Sequence, residues 1–317
     1  MVEKLKGGTF ILTKPIVWKE KERLNGDIVE CTTVILKTAG CYWNSCYMCS
    51  YAREAYPATD EELKEQIRYV LSEPTSVLKI FTSGSFFDDR EVSREVRLFL
   101  KDMIKKVGTK KLIVESRPEF ITEDALEDFR EVNLEVGIGL ETADDKIREL
   151  CINKGFMFSD FVRAAKTLKE FGFRVKAYLL LKPLFLSEYE AIEDVVSSAE
   201  KIKDLVDVIS INLTNVQKGT LVERLWAAGL YRPPWLWSAV ECLRRISDIE
   251  VISDPVAAGK RRGPHNCGRC DREVASALRK YSLTQNRKYL LNLDCKCRDV
   301  WEKILELENF ARIPLIK

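Results

Sequence analysis

The sequence predicts an α/β fold, an open partial (β/α)6 barrel, followed by a small cysteine-rich helical module that a metal staples together. The barrel is predicted by six short apolar runs of strand character with amphipathic segments between them, an alternation that produces parallel strands with helical crossovers. Six units are too few for a complete eight-stranded barrel. The strand candidates are Thr32–Leu36, Leu78–Thr82, Leu112–Glu115, Glu135–Leu140, Arg174–Leu181 and Val206–Leu213.

The helical segments between these runs have their own start and stop signals. The segment Thr59–Ser72 opens with Thr59 and Glu62 at the spacing of a capping box. The segment Ser159–Phe171 places its apolar side chains on one face, and Gly172 ends it. These signals predict two helices of the barrel.

The character of the chain changes after about residue 214. A proline-broken aromatic turn, Tyr231–Trp237, leads into a predicted helix over Ser238–Ile246, and Ala257–Pro264 is a predicted linker. Residues 267–317 hold four cysteines and two helical stretches. We therefore divide the chain into an N-terminal extension (1–30), the barrel with its C-terminal extension (31–255) and a cysteine-rich metal-binding module (256–317).

Composition excludes several classes of protein. The 317 residues include 51 basic and 49 acidic side chains, a net charge of +2, and 46% hydrophobic residues, which excludes a disordered chain. The sequence contains neither an apolar run of about eighteen residues nor a signal-peptide pattern, so we expect a cytoplasmic protein without membrane contact. The near-neutral balance argues against nucleic-acid binding by bulk charge alone.

Cysteine and histidine usage points to metal chemistry. There are ten cysteines and one histidine, His265. Clustered cysteines in a chain without an export signal indicate metal ligands rather than disulfides. A single histidine leaves little room for histidine-based acid–base catalysis or a histidine-rich zinc active site.

The first cysteine cluster is a tight loop directly after the first predicted strand, with Cys41, Cys46 and Cys49. A 4Fe–4S cluster normally takes four cysteines, so three thiolates would leave one iron open for a non-protein ligand. The alternative is a zinc knuckle with Cys31 as the fourth ligand, although zinc sites favour paired Cys-x-x-Cys units.

The second cluster has two pairs, Cys267 with Cys270 and Cys295 with Cys297, separated by 24 residues. Four thiolates predict a structural zinc site, with an auxiliary iron–sulfur cluster or buried thiols as the alternatives. His265 would be a substitute ligand or a packing residue. The cysteines without a partner in sequence are predicted to be small core residues: Cys31, Cys151 and Cys242.

The first cysteine loop, with Gly40 before it and Tyr47 inside it, resembles that of the radical S-adenosylmethionine (SAM) superfamily. Four residues separate its first two cysteines, where three are commonest in that superfamily. The resemblance implies a TIM-like partial barrel in which the open iron binds the amino and carboxylate groups of SAM. Electron transfer then splits SAM to a 5′-deoxyadenosyl radical.

Further features of that resemblance follow consecutive strands, at the carboxyl ends where such barrels bind ligands. The segment Ser83–Ser85 occupies the place of the Gly-Gly-Glu motif, without its glutamate. Glu115 to Pro118 is similar to the Glu-x-Arg-Pro stretch of the Elp3-like branch, which implies a ribose contact for Glu115 and a carboxylate contact for Arg117. The implied SAM-binding residues are Ser83, Gly84, Ser85, Glu115, Arg117, Glu141 and Lys182. Taken singly, Gly137 and Gly139 are equally readable as packing glycines and Glu141 as a helix cap.

Two narrower segments, Gln217–Trp226 and Tyr231–Ser238, resemble the radical SAM subunits of archaeosine synthase, the RaSEA family, and the similarity runs nearly end to end. It implies a lyase of tRNA modification that needs a reductant. A partner protein attaches lysine to a 7-cyano-7-deazaguanine base in tRNA, and the radical enzyme cleaves the C–N bond to leave archaeosine. Basic residues form a candidate tRNA contact or an ordinary solvated surface: Arg244, Arg245, Lys260, Arg261 and Arg262.

Two alternatives stay open from sequence. Another Elp3-like tRNA-modifying enzyme would need an acetyltransferase domain after the barrel, for which we expect no space in 317 residues. A non-catalytic iron–sulfur or zinc protein would act as a scaffold or electron carrier. It predicts no SAM cleavage, and the strand-end pattern disfavours it.

Overall fold

The computed structural model describes residues 3–4, 10–11 and 14–311. Part of the predicted N-terminal extension (1–2, 5–9 and 12–13) and the end of the C-terminal module (312–317) therefore lie outside the described residues. The strands are β1 (Glu3–Lys4), β2 (Phe10–Ile11), β3 (Ile16–Leu24), β4 (Asp27–Ile35), β5 (Val77–Phe81), β6 (Lys111–Glu115), β7 (Leu134–Glu141), β8 (Arg174–Leu181), β9 (Val208–Leu213) and β10 (Glu250–Ile252).

From β4 to β9, at least one helix lies between successive strands, and the remaining helices follow β9. They are α1 (Asp60–Val70), α2 (Arg94–Val107), α3 (Glu123–Glu127), α4 (Asp145–Ile147), α5 (Phe158–Glu170), α6 (Glu188–Ile202), α7 (Leu221–Ala227), α8 (Leu236–Arg245), α9 (Asp271–Thr284), α10 (Lys288–Leu291) and α11 (Cys297–Ala311). Short 3-10 turns cover Tyr51–Glu54 and Pro118–Phe120, and one π turn covers Arg148–Ile152. In the part of the chain that the structure describes, no helix has the length and apolar character needed to cross a bilayer.

The order of the strands confirms the predicted fold class. The larger sheet runs β10-β9-β8-β7-β6-β5-β4-β3, and strands β4 to β9 correspond to the six predicted strands. Consecutive strands of the chain are neighbours, as helical crossovers of one hand require. The structure is a partial (β/α)6 barrel sheet with one additional strand at each edge.

One compact unit consists of Met1–Asn44, Tyr51–Ile138 and Val162–Val175. Its strands β4, β5, β6 and β7 pair in parallel, with Cys31 beside Val77 and Glu115 beside Gly137 in the registers. The predicted capping box is present, because the Thr59 side chain accepts from the backbone of Glu62 and the Glu62 side chain accepts from the backbone of Thr59.

Strand β3, which was not predicted from sequence, pairs antiparallel with β4 from Ile16 opposite Ile35 to Leu24 opposite Asp27. The two strands are joined by Asn25 and Gly26, both with positive φ angles (52° and 91°). An Asn-Gly pair is the commonest signal of a two-residue hairpin, so the signal for β3 was present in the sequence.

The second compact unit consists of Ser45–Ser50, Gly139–Phe161 and Lys176–Lys317. Its strands β8, β9 and β10 are parallel, with Lys176 opposite Val208 and Val251 opposite Ile209. The short strand β10 was also missed, because three residues give too little alternation to recognise. The helix predicted over Ser238–Ile246 is α8, which begins two residues earlier.

Two strand ends of the second unit have unusual backbone conformations. Glu141, the last residue of β7, has φ 68°, and Lys182, directly after β8, has φ 60°. Left-handed conformations are uncommon for residues with a Cβ atom and are enriched at functional sites. Both positions are among the predicted SAM-binding residues.

Candidate functional site

In the first unit, Cys41 lies against the loop that follows β5. A Cβ atom at Gly84 would lie 2.6 Å from the Cα atom and 2.8 Å from the Cβ atom of Cys41. Real Cβ atoms do not approach other heavy atoms so closely, so any larger residue at position 84 would displace the cysteine loop. This contact explains the glycine between Ser83 and Ser85.

A buried carboxylate, Glu91, holds the same loop in place. Its side chain accepts hydrogen bonds from the backbone N–H of Ser85 (2.6 Å) and from Oγ1 of Thr38 (2.8 Å). Glu91 is 3% exposed, and burial raises the pKa of its carboxyl group. Sequence analysis did not identify Glu91, although it is the first carboxylate beyond Asp88 and Asp89 after the Ser83–Ser85 motif.

The predicted residue Arg117 lies in a buried cluster after β6. Its backbone N–H donates to Oγ of the buried Ser85 (3.1 Å), and its Nε donates to Oε1 of Glu119 (2.6 Å). Glu119 also accepts a hydrogen bond from the Tyr42 hydroxyl (2.6 Å), and the guanidinium of Arg117 lies over the rings of Tyr42 and Trp43. The aromatic residues beside Cys41 are thereby fixed by the end of β6, where Glu115 is half-buried.

In the second unit, backbone and side-chain hydrogen bonds fasten the loop segment that carries Cys46 and Cys49. The N–H of Tyr47 donates to the carbonyl of Ile152 (3.0 Å), and the Tyr47 carbonyl accepts from the N–H of Val222 (3.3 Å). Oε1 of Gln217 accepts from both the backbone N–H (2.7 Å) and Oγ (3.1 Å) of Ser50.

Apolar packing supports these bonds. Tyr47 and Met48 pack against a small core of Leu184, Val216 and Val222. The segment Gln217–Trp226, which the sequence analysis singled out as family-specific, therefore holds the cysteine loop from one side.

At the end of β7, Glu141 forms an ion pair with Lys154 (2.6 Å). A Cβ atom at Gly139 would lie 2.7 Å from Oε1 of Glu141 and from Nζ of Lys154. The glycine therefore makes space for this pair, and the Glu141 carboxylate is a partner of Lys154 rather than a helix cap.

At the end of β8, Lys182 forms a buried ion pair with Glu188 (2.6 Å), whose side chains are 9% and 1% exposed. The backbone carbonyl of Lys182 accepts a hydrogen bond from the Tyr231 hydroxyl (2.7 Å). Oε1 of Glu188 also accepts from the N–H of Trp235 (2.7 Å) and from Oγ of Ser238 (2.5 Å). The Lys182 ammonium is thus committed to Glu188, which sequence analysis did not identify.

The four C-terminal cysteines converge as predicted. The sulfur atoms of Cys267, Cys270, Cys295 and Cys297 all lie within 4.8 Å of one another, the only such group of three or more potential ligands among the described residues. Cys270 and Cys297 are buried, whereas Cys267 is exposed, and N–H groups of Arg269 and Cys270 lower its pKa to about 6. This group could hold a metal ion.

Hydrogen-bond donors surround these sulfurs. Nε1 of the buried Trp237 donates to Sγ of Cys297 (3.3 Å), and Nδ2 of Asn266 donates to Sγ of Cys270 (3.3 Å). The carboxylate of Asp271 accepts from the N–H groups of Asn266 (2.9 Å) and Gly268 (2.6 Å). Such outer contacts orient metal ligands. Nδ1 of His265 lies 2.8 Å from the Gly263 carbonyl, which agrees with a packing role.

The segment Tyr231–Ser238 links this module to the end of β8. Arg232 lies over the ring of Trp235 and donates to the carbonyl of His265 (2.6 Å), while Tyr231 bonds Lys182. Oγ of Ser238, which donates to Glu188, accepts from Nε1 of Trp301 (2.9 Å) on α11. The family-specific Arg-Pro-Pro-Trp stretch is therefore a structural connection.

The basic residues proposed for tRNA contact divide into two groups. Arg244 donates to the Leu290 carbonyl, and the exposed Arg245 pairs with Glu193 at the surface (2.5 Å), so both already have partners within the protein. Lys260 and Arg261 are exposed, and Arg262 is half-buried. The cysteines without sequence partners are all buried, as predicted: Cys31, Cys151 and Cys242. Cys31 packs against Val77 and Ile113, and burial raises its pKa to about 11.

Comparison with known proteins gives the family. Residues 35–196 match the radical SAM superfamily. The chain is 46% identical to archaeosine synthase subunit beta of Methanosarcina acetivorans, over 93% of this chain and 90% of that protein. It is 41% identical to the subunit of the same name from Thermococcus kodakarensis, over 91% of this chain and 96% of that one.

The chain belongs to the archaeosine synthase subunit beta family of radical SAM proteins. The predicted family and the prediction of a radical SAM enzyme are both confirmed. Solved structures show the same fold. Methylornithine synthase aligns with a TM-score of 0.54 at 17% identity, over 90% of this chain and 83% of that one. An Elp3 from Methanocaldococcus infernus aligns with a TM-score of 0.51 at 18% identity, over 71% and 59%.

Proposed function

We propose that this radical SAM protein is the lyase subunit of an archaeosine synthase. It would act on a lysine adduct of 7-cyano-7-deazaguanine in tRNA and cleave the lysine C–N bond to leave archaeosine. The observation that carries the proposal is the similarity to two archaeosine synthase subunits beta at 46% and 41% identity over at least nine-tenths of this chain. A cytoplasmic location is part of this proposal, because tRNA is the proposed substrate.

Cys41, Cys46 and Cys49 are the proposed ligands of a 4Fe–4S cluster. When bound, that cluster and SAM supply a 5′-deoxyadenosyl radical that abstracts hydrogen from the lysine side chain. The protein's part is to keep three thiolates on one short loop. Cys31 is packed in the core of β4 with a raised thiol pKa, which argues against its serving as the fourth ligand of a zinc knuckle.

The proposed SAM-binding residues divide by what they offer. In the first unit, Gly84 allows close backbone approach, Ser83 and Glu115 are half-buried, and Ser85 and Arg117 are buried and bonded to each other. In the second unit, Glu141 presents a carboxylate paired with Lys154, and Lys182 presents backbone, since its ammonium is paired with Glu188. We propose direct SAM contacts for Ser83, Gly84, Glu115 and Glu141. The buried residues of the set would have supporting roles: Ser85, Arg117 and Lys182.

We propose that the C-terminal cysteines bind one zinc ion that staples residues 256–317. Three sulfur–sulfur distances are 3.9, 3.8 and 3.6 Å. Zinc–sulfur bonds of about 2.3 Å in a tetrahedron separate the sulfurs by about 3.8 Å. A four-iron cluster placed between the same thiolates would hold them much farther apart, so these distances favour zinc over the auxiliary iron–sulfur cluster.

The proposed partners are tRNA, a reductant and a lysine-transferring subunit. The name of the relatives, subunit beta, implies a second subunit in their complex. Because the net charge of this chain is only +2, the partner would contribute to tRNA affinity.

The test is anaerobic reconstitution, with iron and zinc counted, followed by SAM, reductant and lysine-modified tRNA, and mass spectrometry of 5′-deoxyadenosine and archaeosine. We expect about four irons and about one zinc per chain. The separate variants Cys41→Ala, Cys46→Ala and Cys49→Ala should lose the iron, both products and nothing else.

Cys31→Ala is the matched control, since it removes a buried thiol outside the loop. It should keep iron and activity, whereas a zinc knuckle would lose its metal with this variant as with the others. About eight irons per chain would indicate that the C-terminal cysteines hold a second iron–sulfur cluster with a redox role instead of zinc. A fully loaded protein that forms neither product with lysine-modified tRNA would overturn the proposed function.

A further inference from the structure

The segment that holds the cysteine loop also carries a cationic and aromatic surface. On α7, the half-buried Trp226 lies beneath two guanidinium groups, those of Arg261 (5.3 Å from the ring centroid) and Arg262 (5.1 Å). Lys218, Lys260 and Arg261 are exposed. We call the set Lys218, Trp226, Lys260, Arg261 and Arg262 the Trp226 surface.

Hydrogen bonds make this surface a fixed one. The Arg262 carbonyl accepts from the N–H of Val216 (2.7 Å), and Nε of Arg262 donates to the Val216 carbonyl (3.0 Å). Its Nη2 pairs with Glu223 (2.5 Å), and the Gly219 N–H together with the positive charges of Arg262 and Lys218 lowers the pKa of that carboxylate. The turn that carries Lys260 and Arg261 is closed by a bond from the Gly263 N–H to the Lys260 carbonyl (2.9 Å).

We infer that the Trp226 surface binds the tRNA of the proposed reaction, through its phosphates and one unstacked base. This inference rests on the proposed function. Guanidinium groups stacked on a fixed aromatic ring form the kind of platform on which unpaired bases stack, and exposed lysine and arginine beside it suit phosphates. The surface concentrates positive charge in a chain of net charge +2, as local rather than bulk attraction requires.

Position favours RNA over a protein partner. The same segment bonds the cysteine loop through Gln217 to Ser50 and through Val222 to Tyr47. Because Val222 of α7 bonds that loop, a substrate whose modified base reacts there would bring its neighbouring nucleotides close to α7. A partner protein has no such requirement. Protein docking more usually involves an exposed apolar patch, and Leu230 is the one large apolar side chain exposed in the segment Gln217–Leu230.

The experiment measures binding of fluorescently labelled, lysine-modified tRNA to the reconstituted full chain by anisotropy, between about 50 and 200 mM salt. The double variant Lys260→Gln/Arg261→Gln should bind about tenfold more weakly and reduce the salt slope of log K by about 2. Trp226→Leu, which keeps apolar packing but removes the ring, should weaken binding about tenfold at an unchanged salt slope. Lys105→Gln/Lys106→Gln on α2 is the matched control, with the same charge change at exposed positions, and should behave as wild type.

Iron content and tRNA-independent SAM cleavage should be equal in all variants, which separates tRNA binding from damage to the cysteine loop. If wild type forms archaeosine while the double variant binds tRNA like the Lys105/Lys106 control, the surface inference is wrong and the proposed function stands. Loss of binding to the partner subunit with unchanged tRNA affinity would make this a protein interface and also overturn the inference. A wild-type holoenzyme that neither binds nor converts tRNA would overturn both.

Discussion

The two cysteine sites differ in the number of thiolates they offer and in what holds those thiolates in place. The C-terminal site has four thiolates whose sulfurs already lie within 4.8 Å of one another, with indole and amide donors aimed at two of them. The loop after β4 offers three cysteines. Within one unit, Cys41 lies against Gly84 in a loop held by Glu91; within the other, Gln217 and Val222 bond the segment with Cys46 and Cys49.

On the ligand sets proposed above, the difference would separate a structural site from a reactive one. A metal saturated by protein ligands has no position left for a substrate, whereas a cluster with an open iron does. The saturated site is defined by its ligands, but the open site depends on the elements that hold its loop. Three experiments test this difference between the two sites.

The largest effect should follow loss of the C-terminal metal. Cys270→Ser removes a buried ligand, and we expect loss of zinc, destabilisation by several kcal/mol and faster hydrogen exchange in α9 and α11, because metal binding energy at such sites is folding energy. Calorimetry, metal analysis and hydrogen exchange measure these changes. Cys49→Ser is the contrasting variant, which should lose iron with little change in melting temperature. If both variants destabilise the chain equally, the two sites do not differ as described.

The second experiment concerns the connection between the C-terminal module and the end of β8. Glu188→Gln leaves the ammonium of Lys182 buried without its charge partner, which should destabilise the protein by about 3–5 kcal/mol. Urea unfolding measures this loss. The double variant Lys182→Met/Glu188→Gln removes both charges and should recover most of the stability. A double variant as unstable as Glu188→Gln would mean that the hydrogen bonds to Trp235 and Ser238 matter more than the charge pair.

The smallest effect should come from Gln217. Gln217→Leu removes the acceptor of two hydrogen bonds from Ser50, and a lost acceptor at a partly buried site costs about 1–3 kcal/mol. We expect faster iron loss from the first site, followed by absorbance during chelation, with zinc retained. Gln217→Glu keeps a carboxyl oxygen as acceptor and should restore iron retention. Equal iron loss from Gln217→Leu and wild type would show that the loop does not depend on this contact.

Much of the fold was predictable because it follows from local sequence patterns. The six barrel strands are short apolar runs, and the helix α1 begins at the predicted capping box. The C-terminal cysteine set was predictable because thiolates in two close pairs have few other roles. The hairpin strand β3 was missed although the turn residues Asn25 and Gly26 indicate a hairpin. Its sequence is rich in charged residues and lacks the apolar face that identifies a buried strand.

The supporting residues were not predictable from sequence. Glu91 and Glu188 look like ordinary charged residues beside helices, and only tertiary structure shows that both are buried acceptors of several hydrogen bonds. Likewise, the basic residues read as one patch separate into Arg244 and Arg245, which are bonded to Leu290 and Glu193, and a second group around Trp226.

The six barrel strands, the family and the grouping of the C-terminal cysteines could be predicted from sequence, because they depend on periodicity, spacing and residue chemistry along a short stretch of chain. The folded structure was needed to show which carboxylates are buried, which cations are paired and which residues hold the cysteines in place. Burial and pairing join residues far apart in the chain, such as Ser50 with Gln217 and Trp237 with Cys297, and the energy of those contacts depends on the space around them.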